Sequence, residues 1–180
     1  MEFLRRFQLA VAIGLLLFPG SLPAAPPSPN EYSLKAVFLY NFCRFIDWPE
    51  LAFASPNEPL IIGIVGPDPF GSLLQEAIAG ESYHGRPIRI DHYRSAREIR
   101  RCHLLFVSQA AAGQFNAIVT AAAGHNILTV GETEDFLDRG GMIALTAEEN
   151  RVRLRINPTA LRMTKLSVSS KLLQVADIRS

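Results

Sequence analysis

Hydrophobic positions along the 180-residue chain fall into three regimes. Residues 9–18 (LAVAIGLLLF) form an unbroken apolar run. Arg5 and Arg6 precede it, and Pro19-Gly20 and small residues up to Ala24 and Ala25 follow it. The second regime, residues 31–46, has helical spacing. Its predicted inward stripe runs through Leu34, Val37, Phe38, Asn41, Phe42 and Phe45, with Lys35 and Arg44 off the stripe. Asn30 is placed to cap this helix, and Trp48-Pro49 ends it, because proline disfavours helix at the residue before it. From residue 60 onward, short apolar runs alternate with amphipathic segments. Strands are predicted at 60–65, 88–92, 104–107, 127–130, 142–145 and 152–156. Helices are predicted at 69–79, 95–101, 110–123, 135–139, 158–163 and 170–176.

Strands and helices alternating at this spacing imply right-handed crossovers and a mostly parallel sheet. The predicted fold class is α/β: a single three-layer domain with helices on both faces and an antiparallel hairpin at one side, near Ala144 and Leu154. The last strand supports this, since Val152, Leu154 and Ile156 alternate with Arg151, Arg153 and Arg155, as in a strand with one wet face. Pattern shows no repeat and no second domain.

The first regime changes the picture of where the chain works. A basic start, an apolar stretch and small residues, in that order, read as a secretory signal peptide. Ten apolar residues are too few for a stable bilayer span, which needs roughly 20. No cysteine follows the run, which argues against a lipoprotein anchor. The expected organisation is a signal peptide at 1–25, a Pro-rich leader at 26–30 and the α/β domain at 31–180, soluble and periplasmic after cleavage.

Charge narrows the function. The whole chain has 18 basic and 17 acidic residues. Losing residues 1–25 removes Glu2, Arg5 and Arg6 and leaves no net charge, a poor profile for neutralising nucleic-acid phosphates.

Candidate chemistry is sparse. Gly66-Pro67-Asp68-Pro69-Phe70-Gly71 follows the first long strand, but it lacks both the phosphate-loop ending and dinucleotide-site spacing. His84, His92, His103, His125 and Cys102 show no recognised metal-ligand spacing. Ser108, Ser169 and Ser170 lie in no nucleophile elbow. The expectation is therefore a non-enzyme with no catalytic, cofactor or metal site. A parallel α/β domain places ligands at the carboxyl ends of its strands. Asp68, Phe70, Ser108 and Gln109, with 131–133 nearby, mark a candidate ligand edge. Phe38, Phe42, Phe45 and Trp48 form an aromatic stripe whose first reading is core packing. Trp48 and Phe45, where the helix ends, are the candidates for a partner-facing pair. Cys43 and Cys102 are read either as a disulfide or as two buried free thiols.

The order of short motifs resembles the YfiR family. The motifs are Glu31 to Phe42 (EYSLKAVFLYNF), Phe45-Ile46-Asp47-Trp48-Pro49, Ile62-Gly63-Ile64, Asp68-Pro69-Phe70-Gly71, Cys102 ahead of Leu105-Phe106-Val107-Ser108, Leu128-Thr129-Val130, Phe136, Gly140-Gly141-Met142-Ile143, Arg155-Ile156-Asn157, Leu166, and Ser169 to Leu173. The resemblance covers about residues 30–177. It implies a periplasmic regulator that binds the periplasmic domain of an inner-membrane signalling protein, a diguanylate cyclase or a sensor kinase. For a cyclase it implies repression, with control of cyclic di-GMP and biofilm formation. It also implies a homodimer, and an outer-membrane lipoprotein able to sequester the repressor. Cys43 stands where relatives have a small residue such as Ala, so a relative's disulfide pattern does not transfer. The alternative function is a periplasmic small-molecule sensor or carrier.

Overall fold

The computed structural model describes residues 29–149, 151–174 and 176–178. The expected signal peptide and most of the leader lie outside these residues.

Six α-helices and ten strands follow one another along the described chain: α1 (Pro29–Phe45), β1 (Ile46–Asp47), β2 (Leu60–Val65), α2 (Leu73–Ile78), β3 (Ser82–Tyr83), β4 (Arg86–Tyr93), β5 (Leu104–Val107), α3 (Phe115–Ala122), β6 (Leu128–Gly131), α4 (Glu134–Asp138), β7 (Ile143–Glu148), β8 (Arg151–Ile156), α5 (Pro158–Arg162), β9 (Ser167–Val168), α6 (Ser170–Gln174) and β10 (Asp177–Ile178). Eight strands make one sheet in the order β10-β8-β7-β6-β5-β2-β4-β3, and β1 pairs with β9 in a second, antiparallel sheet. From β4 to β7 the large sheet is parallel. The β7–β8 pair is an antiparallel hairpin with Leu145 opposite Leu154.

The central strands read as continuous apolar runs because both of their faces are covered. All six residues of β2 are buried, as are all four of β5. Alternation then divides the core in two. Leu60, Ile62, Ile64, Leu104 and Phe106 pack with α1, α2, α5 and α6 on one face. Ile61, Val65, Leu105 and Val107 pack with Phe115 and Ile118 of α3 and Phe136 of α4 on the other.

Gly140-Gly141 has a packing reason. Gly140 adopts a φ of +91°, where a side chain is strained. A Cβ on Gly141 would overlap the Phe136 ring, and Gly141 N–H donates to the Phe136 carbonyl at 2.9 Å. The pair lets a buried aromatic lie directly on backbone.

Several expectations need correction. The helix predicted at 69–79 begins only at Leu73. Asp68 Oδ1 accepts from Phe70 N–H at 2.8 Å and Gly71 has a φ of +55°, so 68–72 is a turn. The stretch predicted as helix 95–101 holds only a 3-10 turn, Ala96–Glu98. The Ala-rich segment 110–123 splits into a 3-10 stretch, Gln109–Gln114, and α3.

The largest difference is the orientation of α1. Its buried positions are Lys35, Ala36, Leu39, Phe42 and Cys43. Leu34 and Val37, placed on the inward stripe by spacing, are 40% and 49% exposed. Phe38, Asn41 and Phe45 are half-buried on that same outer side. Lys35, placed off the stripe, is 2% exposed.

Candidate functional site

In an open parallel sheet the ligand crevice opens where the strand order reverses. Here that point lies between β2 and β5, since the chain runs from β2 to β4 on one side and returns to β5 on the other. The chain leaves β2 through Gly66, whose φ is +89° and whose added Cβ would stand 3.1 Å from the Ala111 Cβ. It leaves β5 through Ser108, whose N–H donates to the Val65 carbonyl at 3.1 Å.

The predicted edge residues gather around this point and are engaged there. Ser108 is buried, and its Oγ accepts from Ala110 N–H at 3.3 Å, capping the 3-10 turn that follows. Gln109 is exposed, but its backbone N–H donates to Glu132 Oε1 at 2.9 Å. Asp68 supports the Phe70 backbone with one oxygen and meets His92 Nε2 with the other, at 2.8 Å. Phe70 is buried, edge-on to Phe106 (centroids 4.8 Å) and to Tyr32 (5.7 Å).

Tyr32 belongs to α1, and α1 lies against this edge. Lys35 Nζ is 2.6 Å from Glu132 Oε2 and 2.6 Å from Glu31 Oε1, and it stands 4.8 Å from the centre of the Tyr32 ring. Burial, and then the Glu132 and Glu31 charges, push the Tyr32 hydroxyl well above its ordinary range. A buried ammonium needs partners of this kind, because an unpaired ion in the interior is very costly. The edge is thus packed by α1 of the same chain. Sequence reading missed Lys35 and Glu132 as a pair. The one available signal was Glu31 four residues before Lys35, a favourable helix spacing.

Trp48 lies elsewhere. It was expected to show a ring at the surface, but it is 6% exposed. Its Nε1–H donates to the His103 carbonyl at 3.0 Å, its backbone N–H donates to the Tyr83 hydroxyl at 3.1 Å, and its ring meets Tyr83 edge-on at 5.5 Å. The indole is held as core because both its polar and apolar parts find partners inside. His103 is buried beside it. Nδ1 accepts from Ile61 N–H at 3.0 Å and Phe53 stacks on the ring at 4.2 Å. Burial lowers its pKa to about 4. Phe45 keeps a half-exposed place on the outer side of α1.

The cysteines sit in different cores. Cys43 packs with the α1 face and Cys102 with the α3 face, and both are buried free thiols in this structure. Among the described residues no group of three or more His, Cys, Asp or Glu is arranged to hold a metal ion. Among them, too, no helix is long and apolar enough to cross a membrane.

A family model for YfiR/HmsC-like proteins matches residues 32–177. The chain belongs to the YfiR/HmsC-like family. This family comprises periplasmic regulators of cyclic di-GMP signalling, with a regulatory rather than a catalytic role. Comparison with curated proteins gave no match. Two solved structures share the fold. One is a conserved domain protein from Vibrio cholerae, at 14% identity and a TM-score of 0.51, covering 67% of this chain and 54% of that one. The other is the ABC domain from Streptococcus pneumonia, solved in complex with L-Trp, at 11% identity and a TM-score of 0.50, covering 66% and 54%. The YfiR/HmsC-like chain spans about half the length of either structure.

Proposed function

We propose that the protein is exported by its N-terminal segment, binds the periplasmic sensory domain of an inner-membrane diguanylate cyclase, and holds that enzyme in its inactive state. One observation carries the reading beyond family membership: α1 leaves large apolar residues uncovered on its outer side. Its inner side is spent on the core. Its outer side presents Leu34 and Val37, flanked by Phe38 and Phe45. Apolar residues left exposed side by side, with Asn41 and Arg44 beside them, suit a partner surface. The regulator would shift the cyclase only by its difference in affinity for the two states.

The test is a deletion strain complemented with wild-type or Val37→Asp protein. Deletion should raise cellular cyclic di-GMP and wild-type protein should restore it. Val37→Asp should fail to restore it while melting within a few degrees of wild type, because exposed substitutions change stability by only about 0.5 kcal/mol. Full repression by a folded Val37→Asp protein would remove α1 from the interface. Nucleotide levels unchanged by the deletion would remove the cyclase.

A further inference from the structure

We propose that a second cavity, away from both α1 and the carboxyl edge, binds an uncharged, apolar small molecule about the size of two fused aromatic rings. It is an open cleft between the end of α3, the glycine turn before β7, and α5, with a volume of about 310 Å³. Its walls include Ala122, Gly124, Thr129, Gly140, Ala160 and Met163.

The space exists because three separate elements present small residues to it. Helix α3 ends in Ala121-Ala122-Ala123-Gly124, α5 contributes Ala160, and Gly140 sits at a positive φ that disfavours any side chain. Together with Val119, Met142 and Met163 these small residues leave an apolar cleft, open on one side, with room for a ligand.

The wall also fixes the chemistry of the occupant. None of its side chains is charged. Its polar side chains are partly engaged by the protein itself. Asn157 Nδ2–H donates to the Leu137 carbonyl at 3.2 Å, and its Oδ1 accepts from Ala160 N–H at 3.0 Å. Thr129 Oγ1 accepts from Met142 N–H at 3.1 Å, Thr164 Oγ1–H donates to the Leu161 carbonyl at 2.7 Å, and Thr159 Oγ1 accepts from Arg162 at 3.2 Å. A charged ligand would lose its hydration and meet no opposite charge, since the wall offers only hydroxyl and amide groups. The volume holds only a fragment of a peptide strand, so the occupant is a free small molecule. A dry cavity of roughly 150 Å³ accepts benzene, so about twice that volume accepts a two-ring system or a compact branched alkyl group. Met163, 83% exposed beside the cavity, supplies an adaptable wall of the kind that suits irregular apolar ligands.

The experiment is a fluorescence titration of the purified chain with uncharged N-phenylnaphthylamine, run beside its charged relative anilinonaphthalene sulfonate. The uncharged dye should saturate at one per chain and bind at least tenfold more tightly than the sulfonate. Ala160→Leu and Ala123→Leu place new methyl groups in the cavity and should each weaken the dye by roughly tenfold or more, without lowering the melting temperature. Ala123 is exposed at the end of α3, so its variant carries the test if Ala160→Leu does not fold. Val37→Asp should leave dye binding intact. No saturable binding, binding indifferent to both leucines, equal binding of the sulfonate, or loss of binding in Val37→Asp alone would each overturn the site.

Discussion

Trp48 shows how a single residue can be misplaced from its neighbours in sequence. An aromatic at a helix end, beside a proline, suggests a ring left outside, yet Tyr83 of β3 and His103, just before β5, come from distant parts of the chain to enclose it. Trp48→Ala should therefore destabilise the fold by about 3–5 kcal/mol, read as a large fall in the urea midpoint. It is the sole tryptophan, so native emission should be blue-shifted and move to the red on unfolding. His103 gives a linked pH dependence. Its folded value is about 4 against an ordinary 6.5. Between these values the unfolded chain takes up a proton that the native protein refuses. Stability should therefore be complete above pH 6.5 and fall as pH drops toward 4. His103→Asn, which keeps an acceptor for Ile61 N–H, should flatten that part of the urea-midpoint profile. The thiols are set by the same burial, which pushes Cys43 and Cys102 up to about 12. Native protein should be inert to thiol reagents at neutral pH, and denatured, unreduced protein should titrate two thiols. Fewer than two would mean a bridge.

At the scale of elements, what could be read from the chain divides by mechanism. Strands β2 and β5 were legible to the residue, because interior parallel strands are continuous apolar runs with clear breaks. Helix α1 was legible in length and not in face. With apolar residues on both sides, periodicity alone cannot say which side meets the sheet: of the expected stripe Phe42 is buried, Phe38 and Phe45 are partly buried, and Leu34 and Val37 are exposed. The two-residue strands β1, β3, β9 and β10 carry no period at all. The edge residues Ser108 and Gln109 followed from topology, but Lys35 and Glu132 are 97 positions apart, and only the folded chain joins them. That pair pins α1 to the end of β6. Removing Lys35 leaves the Glu132 carboxylate buried without its counter-charge, at a cost of about 3–5 kcal/mol. Lys35→Met should show such a loss, and Lys35→Met with Glu132→Gln should recover a large part of it. Additive losses in the double variant would mean that the two side chains act independently.

At the scale of the molecule, the sheet makes two cores into one cooperative unit. Trp48 reports on the α1 face, and Phe136 lies on the opposite face, edge-on to Phe115 at 5.1 Å and seated against Gly131 and Gly141. No side chain need touch both cores for them to be coupled. Alternate residues of β2 and β5 point to opposite faces, so losing packing on one side loosens strands on which the other side depends. Phe136→Ala removes a wholly buried ring, worth about 3–5 kcal/mol, from the face that does not contain the tryptophan. The expectation is a single unfolding transition in urea, with tryptophan emission and far-ultraviolet circular dichroism shifted to the same lower midpoint. If the cores were separable, the variant would lose part of its circular dichroism signal first while the tryptophan signal kept its wild-type midpoint. The coupling bears on regulation: a small molecule seated between α3 and α5 could alter the outer side of α1 only through a sheet that transmits packing changes, and coincident midpoints would establish that the sheet does so.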